Sequence, residues 1–287
     1  MKIVLAPDTG FCFGVKNAVA AAEKALAVHG VLSCNGDIVH NPVVMDELIR
    51  KGLRIVPEGS VPDDGPFIIR SHGLPPSVVR RIAAKGIRIL DATCPYVKKL
   101  QQLIARLDRD GYAVFIIGDE NHPEVRALTG FGKRITVLGP GDDVRFPPGG
   151  GRTAVVAQTT LPFDEYERSL RKILDNRGVH EVKMYNTICR VTGRRQEAAR
   201  RLSGSVDAVL VLGGRRSANT QKLYQVCKSV NPRTVQIESA GELERLSLRN
   251  AHTIGITSGT STSEAFIGRV VRYLKKSGKE AVHGREG

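Results

Sequence analysis

Residues 87–124, IRILDATCPYVKKLQQLIARLDRDGYAVFIIGDENHPE, contain the unit from which the rest of the chain is read. A β-branched run, IRILD at 87–91, leads into Cys94 and Pro95. Proline suits the first turn of a helix and keeps the residue before it extended. Val97, Leu100, Ile104 and Leu107 then share one face at helical spacing until Gly111 stops the run. A second apolar run, YAVFII at 112–117, ends in Asn121-His122-Pro123-Glu124. Strand, cysteine, helix, strand and histidine in this order read as βα units of a parallel sheet.

The same order occurs twice more. Cys12 follows KIVLA at 2–6 and precedes Val15, Val19, Ala22 and Leu26, a helical face closed by Gly30. Cys189 follows HEVKMY at 180–185. Each cysteine is trailed at a distance of 28 residues by a polar strand end: His40, His122 and Ser217. A second polar strand end follows in each unit: His72 in FIIRSHG, Thr159 in AVVAQTT and Ser261 in GITSGTS. The remaining runs bring each unit to four strands. They are GDIVH at 36–40, LRIV at 53–56, FIIRS at 67–71, RITVL at 134–138, TAVVAQ at 153–158, DAVLVL at 207–212, RTVQI at 233–237 and HTIGIT at 252–257. The third run of each set has no polar signature after it, as expected of a strand pointing away from a shared site. Sequence alone leaves open which sheet owns the strand before each cysteine. The tail after Ser277 reads as frayed.

A chain of 287 residues with 41 % apolar content can bury a core without disulfides. No apolar run approaches the roughly 18 residues of a membrane span. Pro7 and Asp8 interrupt the N-terminal apolar run, so a signal peptide is not expected and the chain reads as cytoplasmic. Five cysteines without a secretory signal point to metal or redox chemistry before a disulfide framework. The net charge of +14 favours anionic partners. With basic residues scattered, no Trp and 5 % aromatics, a general anion-attracting field is a better reading than a nucleic-acid surface.

In open parallel sheets, ligands gather where strands end and helices begin. A cysteine at a helix start has its thiolate favoured by free N–H groups and the helix dipole. Three such thiolates meeting at one point would be a metal site. Structural zinc wants four ligands, often from close pairs, and no C-x-x-C is present. Three thiolates with one position open suit a cubane iron–sulfur cluster, whose free iron is a Lewis acid. Cys34 and Cys227 lack the context and read as structural. Around this centre fall His40, His72, His122, Thr159, Ser217, Asn219 and Ser261, donors suited to a compact anion, with Glu124 as the one acid.

These residues carry a resemblance. G-F-C-F-G-V at 10–15, H-N-P at 40–42, R-S-H-G at 70–73, D-A-T-C-P at 91–95 and N-H-P-E-V at 121–125 resemble the 4-hydroxy-3-methylbut-2-enyl diphosphate reductase family. So do A-Q-T-T at 157–160, N-T-I-C at 186–189, R-Q-E at 195–197 and G-G-x-x-S-x-N at 213–219, in order over essentially the whole chain. The resemblance implies an α/β fold of three small domains with parallel sheets, a pseudo-threefold trefoil around a central 4Fe–4S cluster. It places the domains at 13–93, 94–188 and 189–277, the last joined by the N-terminal strand 1–12, with a tail at 278–287. It makes Cys12, Cys94 and Cys189 the cluster ligands, and His40, His72, His122, Thr159, Ser217, Asn219 and Ser261 the substrate-binding set. Glu124 would deliver protons, assisted by Thr159. The implied reaction is reductive dehydroxylation of the allylic diphosphate to isopentenyl and dimethylallyl diphosphate, the last step of the non-mevalonate isoprenoid pathway. Ferredoxin or flavodoxin would supply electrons to a monomer with no nucleic-acid or membrane partner.

The third segment departs from the family pattern. Arg190-Val191-Thr192-Gly193 replaces an Ala-Thr pair, Ala218 stands where Ser or Gly is frequent, and Thr262-Ser263-Glu264 lacks a proline and an aspartate. Quinolinate synthase shares the three-cysteine plan, but the H-N-P, H-P-E and Q-T-T strings favour the diphosphate reductase. An iron–sulfur nucleic-acid regulator would leave Glu124 without a purpose.

Overall fold

A computed structural model describes all residues except 140, 143, 145–150, 176–179, 247, 249 and 284–287, with backbone alone for 245 and 277–283. Its described residues form two compact units, one of Met1–Val15, Val39–Met45 and Arg190–Gly287, the other of Lys16–Ile38 and Asp46–Cys189.

The larger unit carries two four-stranded parallel sheets. The first contains β2 (Leu32–Asn35), β3 (Leu53–Val56), β4 (Phe67–Ile69) and β5 (Ile89–Asp91) in the order β3-β2-β4-β5. The second contains β6 (Ala113–Ile117), β7 (Ile135–Leu138), β8 (Arg152–Ala157) and β9 (Glu181–Met184) in the order β7-β6-β8-β9. The smaller unit carries a third sheet of β1 (Lys2–Leu5), β10 (Ala208–Leu212), β11 (Thr234–Ile237) and β12 (Thr253–Ser258) in the order β11-β10-β12-β1. One order thus recurs three times. The strand before each cysteine lies at one edge and belongs to the preceding sheet; for Cys12, β1 pairs with β12 in register from Lys2↔Thr253 to Leu5↔Ile256.

The core follows from the sheets. β6 is buried at every position, as a parallel strand covered on both faces must be. Leu100, Ile104 and Leu107 of α4 (Pro95–Arg109) pack on one face with Val114, Ile116 and Val156. Phe115, Ile117 and Val155 face Tyr166 and Ile173 of α6 (Phe163–Leu174) on the other. Each such fully buried aliphatic contributes about 1.5–3 kcal/mol. In the third sheet, Leu210, Ile254 and Ile256 pack with Phe266 and Val270 of α9 (Glu264–His283).

Three expectations are corrected. The second strand is LSCN at 32–35, not GDIVH at 36–40. Gly36 turns the chain at φ +72°, and a Cβ there would lie 2.7 Å from the Arg70 guanidinium. Ile38 and Val39 are buried without belonging to a strand. The third run of each set (β3, β7, β11) does not point away: it runs parallel to its neighbours, at the edge opposite the cysteine strand. The helix α9 continues past Ser277 to His283, so the frayed tail is helical over 278–283, and its last four residues lie outside those described.

Candidate active site

The cysteine environments match in detail. Cys12 directly precedes α1 (Phe13–His29), Cys94 caps α4, and Cys189 directly precedes α7 (Arg190–Ser203). The backbone N–H of Cys12 donates to Thr260 O at 3.1 Å, that of Cys94 to Ser71 O at 3.0 Å and that of Cys189 to Thr159 O at 2.8 Å. Each acceptor lies two positions past the end of the adjacent strand, which closes at Ser258, Ile69 and Ala157 respectively. The trailing residues obey the same rule: His40, His122 and Ser217 each stand five positions past Asn35, Ile117 and Leu212.

These three cysteines are half-buried, whereas Cys34 and Cys227 are fully buried, and none of the five is in a disulfide. Burial pushes the Cys34 thiol up to about 12, against the opposing pull of Arg70, and it raises Cys227 as well. Those two stay protonated and suit packing. Among the described residues, no group of three or more His, Cys, Asp or Glu side chains could hold a single metal ion. A cubane cluster asks for something different, one thiolate per iron. Each of the three half-buried cysteines offers one thiol at a helix start, the kind of donor such a cluster uses.

The larger unit holds the acid. His122 caps α5 (Pro123–Thr129), its Nδ1 accepting from the Glu124 N–H at 3.2 Å. The neutral ring therefore carries its proton on Nε2, as a donor. His72 meets it edge-on, with ring centroids 5.4 Å apart. Glu124 is 1 % exposed. Its Oε1 accepts from the Thr159 N–H and its Oε2 from the Thr159 hydroxyl, both at 2.7 Å. Burial raises the Glu124 pKa, and the two Thr159 bonds pull it back. A carboxyl held this way is suited to keeping and releasing a proton. Thr159 itself corresponds to Ser71 and Thr260, not to His72 and Ser261 as the matched runs imply; the counterpart of those two is Thr160.

Glu58, which the sequence reading passed over, ties these segments together. It pairs with the buried Arg70 at 3.1 Å and with Arg126 of α5 at 2.7 Å. Its signal would have been a lone acid shared by the arginines of R-S-H-G and N-H-P-E-V-R.

The smaller unit holds neutral donors. Ser217 caps α8 (Ala218–Val230), its Oγ accepting from the Thr220 N–H at 3.4 Å. Asn219 is 8 % exposed, and its buried Nδ2 has no hydrogen-bond partner among the described residues. Gly213 has φ +141°, and a Cβ on Gly214 would lie 2.9 Å from His40 O, so the loop before α8 is close-packed. Ser261 donates from its hydroxyl to His40 O at 3.3 Å, and Asn41 donates from Nδ2 to Ser261 O at 2.7 Å. Arg215 beside this loop pairs with Glu238 at 3.1 Å and Glu242 at 2.6 Å. The departing residues keep local structure: Thr262 donates to Leu212 O at 2.8 Å, and Ser263 Oγ accepts from the Phe266 N–H at 3.3 Å, capping α9. Ala218 offers no side-chain donor, whereas Asn219 beside it does.

Comparison with known proteins agrees with this geometry. The LytB protein family profile matches residues 3–275. A 4-hydroxy-3-methylbut-2-enyl diphosphate reductase of Trichlorobacter lovleyi is 39 % identical over 275 residues, 96 % of this chain and 98 % of that one. A protein of the same name from Pelobacter propionicus is 38 % identical, over 98 % of this chain and all of its own. A solved (E)-4-hydroxy-3-methyl-but-2-enyl diphosphate reductase, described as the terminal enzyme of the non-mevalonate pathway, superposes with TM-score 0.75 at 36 % identity, covering 96 % of this chain and 100 % of that one. The E-1-hydroxy-2-methyl-but-2-enyl-4-diphosphate reductase of Plasmodium falciparum superposes with TM-score 0.85 at 26 % identity, over 95 % of this chain and 87 % of that one. Among the described residues, no helix is long and apolar enough to cross a membrane.

Proposed function

The chain belongs to the LytB protein family, and on that premise we propose that it reduces (E)-4-hydroxy-3-methylbut-2-enyl diphosphate to isopentenyl and dimethylallyl diphosphate. Its lobes are 13–93, 94–188 and 189–277 with strand 1–12, in line with the membership of the three sheets. Cys12, Cys94 and Cys189 hold a 4Fe–4S cluster, one thiolate from each strand–helix junction. Bound there, the cluster supplies electrons and a Lewis-acidic free iron.

The remaining work falls to side chains. His40, His72, His122, Ser217, Asn219 and Ser261 bind the diphosphate as hydrogen-bond donors, Ser261 by turning toward it the hydroxyl that otherwise donates to His40 O, and the Asn219 Nδ2, without a partner among the described residues, supports this reading. Glu124 gives a proton to the departing hydroxyl. Hydroxide is a poor leaving group, so an acid must act as the carbon–oxygen bond breaks. The Thr159 hydroxyl orients the carboxyl and passes the proton, since it both donates and accepts. Overall, two electrons and two protons are consumed: one C–O bond breaks, one C–H bond forms and water leaves. Ferredoxin or flavodoxin donates the electrons, the basic surface suiting acidic carriers, to a cytoplasmic monomer.

The observation that carries this reading is the buried Glu124 carboxyl clamped by both the N–H and the hydroxyl of Thr159. An anaerobic assay with the hydroxylated diphosphate and a chemical reductant tests it. The expected result is brown protein with about four irons per chain forming both products. Iron-loaded protein without turnover would overturn the reading, as would full activity in iron-free protein.

A further inference from the structure

Asn41 uses both ends of its amide. Its Oδ1 accepts from the Val44 N–H at 3.3 Å, at the start of α2 (Pro42–Arg50). Its Nδ2 donates to Ser261 O at 2.7 Å, and the Ser261 hydroxyl donates to His40 O at 3.3 Å. The two bonds close a ring between residues 40–41 and residue 261. Asn41 is 8 % exposed and Ser261 5 %, so both ties are sheltered from water. The stretch Val39–Met45 packs in the smaller unit, although the residues on either side of it belong to the larger one.

A helix cap needs only an oxygen, and serine or aspartate would supply one as well as asparagine. The donated nitrogen is therefore additional to the cap, and its target is the backbone of a residue in the substrate-binding set. Resting on the function proposed above, we propose that Asn41 is a positioning residue for the diphosphate. It fixes His40 and Ser261 as a preformed pair, so that binding need not order two separate segments. Preorganisation of this kind raises affinity without adding a contact to the ligand. Because the pair touches the diphosphate and not the reacting hydroxyl, the effect belongs in KM and not in kcat.

The test compares iron-loaded wild type with N41S and N41A, using inorganic diphosphate in anaerobic calorimetry, melting curves and steady-state kinetics. N41S keeps a capping oxygen, adds no charge and is too short to reach Ser261 O. It is expected to bind diphosphate about tenfold more weakly and to show a KM about tenfold higher, with kcat within twofold and an unchanged melting temperature. N41A is expected to match N41S in affinity while melting lower, because it also loses the cap. If N41S does not fold, N41D, which caps but does not donate, takes its place. Wild type that binds diphosphate with N41S binding it equally well would overturn the strap alone, as would an affinity loss that follows the melting temperature. Wild type that does not bind diphosphate would overturn the functional reading, and the strap with it.

Discussion

At the carboxyl end of the second sheet, His122 caps a helix and Glu124 stands two residues further on. At the matching end of the third sheet, Ser217 caps a helix and Asn219 occupies the same place. Both side chains are buried. Glu124 is bonded twice by Thr159, while the Asn219 Nδ2 has no partner among the described residues. One backbone plan therefore presents a buried carboxyl held from two sides in one lobe and a buried amide in the other. The repeat sets where a side chain emerges; on the function proposed above, the residue type decides whether that point transfers protons or grips an anion.

The sharpest way to break this comparison is E124Q. The amide keeps an acceptor for the Thr159 N–H and a donor toward its hydroxyl, so the fold and iron content should persist. Turnover should fall about 10²–10⁴-fold, and near-normal turnover would remove the acid from the mechanism. N219A should act on the other side of the division. Substrate affinity is expected to weaken about tenfold to a hundredfold, as for a lost hydrogen bond to a charged group, with kcat at saturation largely kept; a kcat loss as large as that of E124Q would erase the distinction. T159V should give about a tenfold loss. Removing a bond that lowers the Glu124 pKa raises it further, so the alkaline limb of the pH–rate profile should move to higher pH. The smallest effect is on stability. Glu124 has a folded pKa above its ordinary 4.5, so the stability tied to its proton is complete below that value and is lost as pH rises through the folded pKa. E124Q does not titrate, and chemical denaturation should show it gaining on wild type across that range.

Much of this was legible in the sequence because the spacing of 28 residues translates a constant backbone path from helix start to the fifth position past a strand. The helices of Cys12 and Cys94 were readable for the same reason, through their apolar period and terminal glycines. The strand at 32–35 was not: Ser33 and Asn35 hide it, while the apolar Ile38 and Val39 beyond Gly36 imitate one. Strand membership at the sheet edges was equally hidden, since pairing of β1 with β12 joins residues about 250 apart and leaves no local signal. The Glu124–Thr159 clamp spans 35 residues. Spacing put both at strand ends, but only the packed side chains show that they bond each other.

The edge position of β1 has a consequence for how the protein is made. Residues 2–5 are translated about 250 residues ahead of 253–256, their one neighbour in the sheet among the described residues. Cys12 is anchored through its N–H to Thr260 O, far downstream of it in the chain, whereas the acceptors of Cys94 and Cys189, Ser71 and Thr159, precede them. A nascent chain stalled before β12 would therefore expose the Cys12 thiol with nowhere to dock, and on the function proposed above its cluster could load only once that strand is made.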